Sequence, residues 1–153
     1  MKKVLSILAL LSSGAQAQDV TPCRYEGDSA YLSSIAVVAE PWAENTRLFA
    51  DGAVRLVVLD TEEPAFAAYH LAVLIWGEDE IGIIARRCVL VSLGQVGFFD
   101  VTLNGMDSRY SPESGLVLSV PVSLYDAAQD RAIVQPLDIV INQQSGTVEA
   151  HFR

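Results

Sequence analysis

Two histidines, two cysteines, many serines and 19 carboxylates hold whatever reactive chemistry this chain of 153 residues could perform. Nucleophilic catalysis needs a hydroxyl or thiol, a base to take its proton, and donors for the developing oxyanion. His70 and His151 are the available imidazoles, and the chain contains no Gly-x-Ser-x-Gly elbow. His70 sits in an apolar run between Tyr69 and Leu71, where an imidazole reads as a hydrogen-bonded packing residue rather than a base. His151, near the carboxyl end, reads as exposed. No residue is assigned a catalytic role on these grounds.

The acids offer hard oxygen ligands of the kind calcium prefers. Yet Asp60-Thr61-Glu62-Glu63 and Glu78-Asp79-Glu80 lack the Asp-x-Asp-x-Asp-Gly spacing of a calcium loop, and they read as solvated turns. Carboxylate pairs suited to glycoside hydrolysis can be drawn from any acidic chain and discriminate nothing without geometry. No glycine-rich phosphate loop follows a strand and opens a helix. Neither a metal nor a cofactor is expected. Cys23 and Cys88 belong to no Cys-x-x-Cys motif and have no histidine at ligand spacing, so the pair reads as a disulfide. Closing a loop of about 65 residues is worth roughly 4 kcal/mol on the chain-entropy estimate, and would tie the amino-terminal arm to the body.

Strands must position these residues. Short apolar or alternating runs recur between turn residues at 34–39, 46–50, 53–60, 67–76, 83–93, 98–103, 116–125, 137–142 and 147–152. The run 67–76 is apolar on both parities and should be a central strand covered on both faces. Leu118, Val120, Val122 and Leu124 alternate with Ser119, Pro121 and Ser123. Proline cannot donate to a ladder, so this strand should lie at an edge, at least at Pro121. Residues 104–115 read as a loop with room for a helical turn, and 18–31 as an irregular arm held by Cys23. One of Arg86 and Arg87 must face the core side, where an ion pair is expected. The fold class that follows is mainly β, an antiparallel sandwich or barrel of short strands in a single domain.

Asp51-Gly52 suits a type I′ turn joining 46–50 to 53–60. Pairing across it brings residues 45 and 60 to the end of the hairpin opposite the turn. The loops leaving that end carry Glu40, Trp42 and Glu44 on one side and Asp60, Glu62 and Glu63 on the other. A tryptophan amid carboxylates would suit a cationic or arginine-bearing partner through cation–π contact and charge attraction. Alternatively, Trp42 folds back as a lid on the core and the acids are simply solvated.

Met1-Lys2-Lys3, the apolar stretch Val4 to Leu11, and Ala15-Gln16-Ala17 read as a secretory signal peptide over residues 1–17, cleaved after Ala17. The stretch is too short to span a bilayer, so no membrane insertion is expected after cleavage. The protein is expected in the periplasm or outside the cell. Cleavage removes both lysines, leaving 8 arginines against 19 acids and moving the net charge from −9 to −11. That charge opposes nucleic acid and anionic membranes and favours cationic surfaces. Residues 18–153 suffice for one β-rich domain and are too few for two. Ala39-Glu40-Pro41-Trp42, Phe49-Ala50-Asp51-Gly52-Ala53-Val54-Arg55, Leu59-Asp60-Thr61 and His70-Leu71 resemble small uncharacterised exported proteins of Gram-negative bacteria. The resemblance covers the middle of the chain and implies no activity and no functional residue. The expectation is a non-enzymatic exported β-domain that binds a protein or a small ligand through loops or an edge strand. Its rivals are a hydrolase built from dispersed carboxylates and His70, and a structural envelope component.

Overall fold

Strands form where apolar residues alternate, because a pleated ribbon places every second side chain on one face. The computed structural model describes residues 18–23, 30–62, 67–78, 81–94 and 96–153. The leader 1–17, part of the arm (24–29), Glu63, Asp79 and Glu80 lie outside the described residues. Within them are strands β1 (Asp19–Pro22), β2 (Thr46–Phe49), β3 (Val54–Asp60), β4 (Tyr69–Glu78), β5 (Ile84–Ser92), β6 (Asp100–Val101), β7 (Asp107–Ser111), β8 (Gly115–Asp126), β9 (Arg131–Asn142) and β10 (Thr147–Phe152). They pair antiparallel into one sheet of order β1-β5-β4-β3-β2 and a second of order β10-β9-β8-β6, with β7 also on β8.

The two sheets face each other as an open sandwich, and neither closes into a barrel. Leu56, Val58, Leu71, Val73, Ile75 and Val91 of the first sheet share one core with Leu118, Val120, Leu137, Ile139 and Ile141 of the second. Each such side chain, taken fully out of water, contributes on the order of 1.5–3 kcal/mol. The first sheet is covered on its other face too. There Val57, Leu59, Ala72 and Leu90 pack beneath Cys23, Leu32, Val37 and Val38, which explains why β4 is apolar on both parities. The disulfide Cys23–Cys88, with Cα atoms 5.2 Å apart, fastens this cover to β5.

Several elements differ from their sequence expectation, each for a local reason. The expected strand 34–39 is a 3-10 turn, Ile35–Val37, because the Ser34 hydroxyl accepts the Ala36 N–H at 3.1 Å and so competes with ladder formation. The segment reaches the sheet only at its end, in a single bridge between Val38 and Leu59. The arm begins as an ordered edge strand, since Asp19 to Pro22 pairs with Val89 to Ser92. The expected loop 104–115 contains β7, a strand exposed along most of its length that apolar patterning cannot reveal. Strand β8 is central rather than an edge. Pro121 is accommodated by register: it opposes Pro136 of β9, and the two carbonyls accept outward bonds from Thr102 (3.3 Å) and Arg153 (3.1 Å). Neither missing N–H is therefore needed between the two strands.

Candidate functional site

The β2–β3 hairpin forms, across a wider turn than expected. Phe49 pairs with Val54, and Ala50, Asp51 and Gly52 all take left-handed backbone angles (φ 51, 52 and 82°). At the opposite end, the Asn45 carbonyl accepts the Val58 N–H at 2.9 Å, and the Val58 carbonyl accepts the Ala39 N–H at 3.0 Å. The chain thus leaves the edge of β3 at Ala39 and returns at Asn45, throwing residues 40–44 out as a loop. That loop is pinned from within: the Glu44 and Asn45 N–H groups bond the Pro41 carbonyl at 3.0 and 3.2 Å. Arg47 Nη1 donates to the carbonyls of Ala43 (3.0 Å) and Glu44 (2.9 Å). Arg47 was not singled out from sequence. Its neighbours Ala43 and Glu44 are the only hint, because its acceptors are backbone atoms that no side-chain motif announces.

Trp42 stands on this loop 52% exposed, which a lid on the core would not be. Glu40 and Glu44 are exposed on either side of it. Beyond the end of β3, Asp60 Oδ1 accepts the Glu62 N–H at 2.8 Å, and Glu62 is exposed. Glu63 lies outside the described residues. The backbone therefore brings the 40–44 loop and the 60–62 segment to the same end of β3. The two ion pairs found among the described residues both involve Asp138, so Glu40, Glu44, Asp60 and Glu62 have no basic partner there. The other tryptophan, Trp76, is 49% exposed and carries the Arg86 guanidinium 4.8 Å from its ring centroid. Arg86 also donates to the carbonyls of Gly52 (2.7 Å) and Ala53 (3.3 Å). Trp76 shows what this chain does with a half-exposed indole and an arginine, and Trp42 has no such cation among the described residues.

Of the arginine pair, Arg87 is the one facing the core side, opposite Ile75. Among the described residues it forms no ion pair. Its acceptor is the Gly146 carbonyl, at 3.4 Å from Nη1, because the facing β9–β10 turn presents backbone rather than a carboxylate.

His70 is buried, and its Nδ1 shares a hydrogen bond of 2.7 Å with Ser92 Oγ. The ring lies against Gly97, where a Cβ would stand 2.9 Å from Cε1 and Nε2 and 2.6 Å from the Tyr69 carbonyl. Burial lowers the imidazole pKa below its ordinary value and so favours the neutral ring. An imidazole beside a hydroxyl has the spacing of a base and its nucleophile. Here both side chains are buried, so the pair closes a polar gap in the sheet rather than presenting an attacking oxygen.

A second polar group lies on the outer face of the second sheet. Register aligns Asp107, Ser119, Asp138 and His151 in one row across β7, β8, β9 and β10. Asp138 is buried and accepts from Ser119 Oγ, from Arg153 at 2.8 Å and from Arg109 at 3.1 Å. Burial pushes its carboxyl up, but bonds from Arg153, Ser119 and Arg109, with the Arg153 charge, outweigh this and hold it at about 2. Ser119 donates to the carboxylate rather than to an imidazole, and His151 is exposed. The group works as a staple between strands. Its sequence signal was Asp138 alone among apolar neighbours, Leu137 to Ile141.

Among the described residues, no three side chains of His, Cys, Asp or Glu gather as metal ligands, and no helix is long and apolar enough to cross a membrane. Compared with protein-family models, with curated proteins and with solved structures, the chain finds no match.

Proposed function

We propose that this chain is an exported, non-enzymatic β-sandwich module, working in the periplasm or outside the cell. It recognises a cationic partner protein through Trp42 and the carboxylates of Glu40, Glu44, Asp60, Glu62 and Glu63. Export is supported by the leader-like residues 1–17 and by the disulfide, which belongs to oxidising compartments. The observation that carries the binding role is the half-exposed Trp42 on a hydrogen-bonded loop, near Glu40, Glu44, Asp60 and Glu62, which have no basic partner among the described residues. An arginine presented by a partner would find there a π face and several carboxylates, a pairing that favours both orientation and rapid encounter. A hydrolase using His70 is disfavoured by the burial of that ring with its hydroxyl partner.

The test is affinity capture from an envelope extract with the tagged exported protein as bait. Trp42→Ala, and separately Glu40→Gln with Glu44→Gln and Glu62→Gln, should each lose the captured partner while the melting temperature stays unchanged. If capture persists in both and only the tryptophan variant loses stability, Trp42 is a packing residue and the proposed site is wrong.

A further inference from the structure

We infer that the seam between the two sheets, at the edge of the molecule opposite β2, is a binding site for a carboxylate bearing a short aliphatic tail. Strands β1 and β10 are the edge strands of their sheets, and between them lies a recess of about 260 Å³. Its apolar walls include Val20, Val89 and Val148, and its polar lining includes Arg87, Ser145 and Thr147. The recess lies just below the roughly 300–1,000 Å³ typical of drug-sized ligands, so a small carboxylate with a short tail fits within it.

Arg87 is placed there by two positions without side chains. A Cβ on Gly77 would stand 2.7 Å from Arg87 Cδ, and one on Gly146 would stand 3.2 Å from Nη1. The arginine stem therefore runs through a channel that only glycine leaves open at those two points. A guanidinium has five N–H donors in a fixed fork, and the hydrogen bond seen here is one of 3.4 Å to a carbonyl. The chain has 19 acidic residues, yet the ion pairs among its described residues lie at Asp138 and not at Arg87. A carboxylate would meet this fork in two parallel charge-assisted bonds. The hydroxyls of Ser145 and Thr147 share a hydrogen bond of 2.9 Å, in which one donates to the other and the second keeps its proton free as a donor at the rim. The valine walls suit an aliphatic tail and give nothing back to a multiply charged, strongly hydrated ion such as phosphate.

The test follows backbone amide shifts of the purified protein during titration with isobutyrate, with isobutyramide as its neutral counterpart, with inorganic phosphate, and with a short peptide ending in valine with a free carboxylate. Isobutyrate, the peptide, or both should give saturable shifts at Val20, Val89, Gly146 and Thr147, while isobutyramide and phosphate should not. The tighter of the two carboxylates tells whether a free acid or a peptide terminus is the natural source. Arg87→Gln should weaken binding roughly tenfold or more, the loss expected for a charge-assisted bond. Because Arg87 also fills its channel, Thr147→Val serves as a shape-conserving second variant and should weaken binding severalfold without changing the fold. Equal responses to isobutyrate and isobutyramide, undiminished binding in a folded Arg87→Gln protein, or no response at these residues to either carboxylate would overturn the inference.

Discussion

A neutral imidazole at position 70 costs stability in acid. Because burial lowers the folded-state pKa of His70 below the ordinary histidine value, the unfolded chain binds the proton more readily than the folded one. The stability His70 supports is therefore complete above pH about 6.5 and declines as the pH falls below that, until the folded-state pKa is passed. Replacing His70 by Gln keeps a hydrogen-bonding group near Ser92 and removes the titration. Urea unfolding on either side of pH about 6.5 should show a loss in the parent protein that is reduced in the variant, and equal losses would remove His70 from the account. That His70 is internal was legible from its apolar neighbours Tyr69 and Leu71. Its partner was not, because Ser92 meets it only through the β4–β5 register, in which Leu71 opposes Val91.

Among the strands, β7, β8, β9 and the carboxyl-terminal Arg153 are held together at one buried carboxylate. Asp138 titrates at about 2 against an ordinary value of 3.8. Its contribution is thus complete above pH about 4 and is lost as the pH falls towards the folded-state value. A shift of this size corresponds to about 2 kcal/mol. Asp138→Asn should lower stability at neutral pH by at least that order, since Arg109 and Arg153 lose a charged acceptor. It should also flatten the acid limb of an unfolding-against-pH profile and speed amide exchange in β10. An acid limb unchanged by the substitution would place the acid sensitivity elsewhere. Strands β8 and β10 were legible as alternating patterns, whereas β7 was not. Its side chains are mostly solvent-facing, so no apolar period marks it, and it exists because the edge of β8 offers unpaired backbone groups.

The molecule as a whole depends on its amino-terminal cover. Cys23, Leu32, Val37 and Val38 shield the outer face of the first sheet, and the Cys23–Cys88 bond fixes the start of that cover across a sequence separation of 65 residues. Reduction, or Cys23→Ser with Cys88→Ser, should cost roughly 4 kcal/mol. It should also expose Val57, Leu59, Ala72 and Leu90, raising binding of a hydrophobic dye before global unfolding. Guanidinium unfolding with and without reductant measures the first effect, and dye fluorescence in the pre-transition region the second. A stability difference near zero would mean that the cover is held by packing alone.

By itself the amino-acid sequence determined the class of fold, the positions of most strands, the disulfide pair, and the internal place of His70. Each of these follows from local periodicity or from simple counting, so no distant residue has to be known. It also placed the 40–44 loop and the segment after Asp60 at one end of the β2–β3 hairpin, because antiparallel pairing makes residues 45 and 60 emerge at the end opposite the turn. Only the tertiary structure decided that the sheet is an open sandwich and that β8 is central despite Pro121. The same is true of the half-exposure of Trp42, the buried carboxylate at 138, and the passage of Arg87 between Gly77 and Gly146. These depend on which strands lie side by side and in what register, and register is set by the packing of the whole core rather than by any stretch of chain.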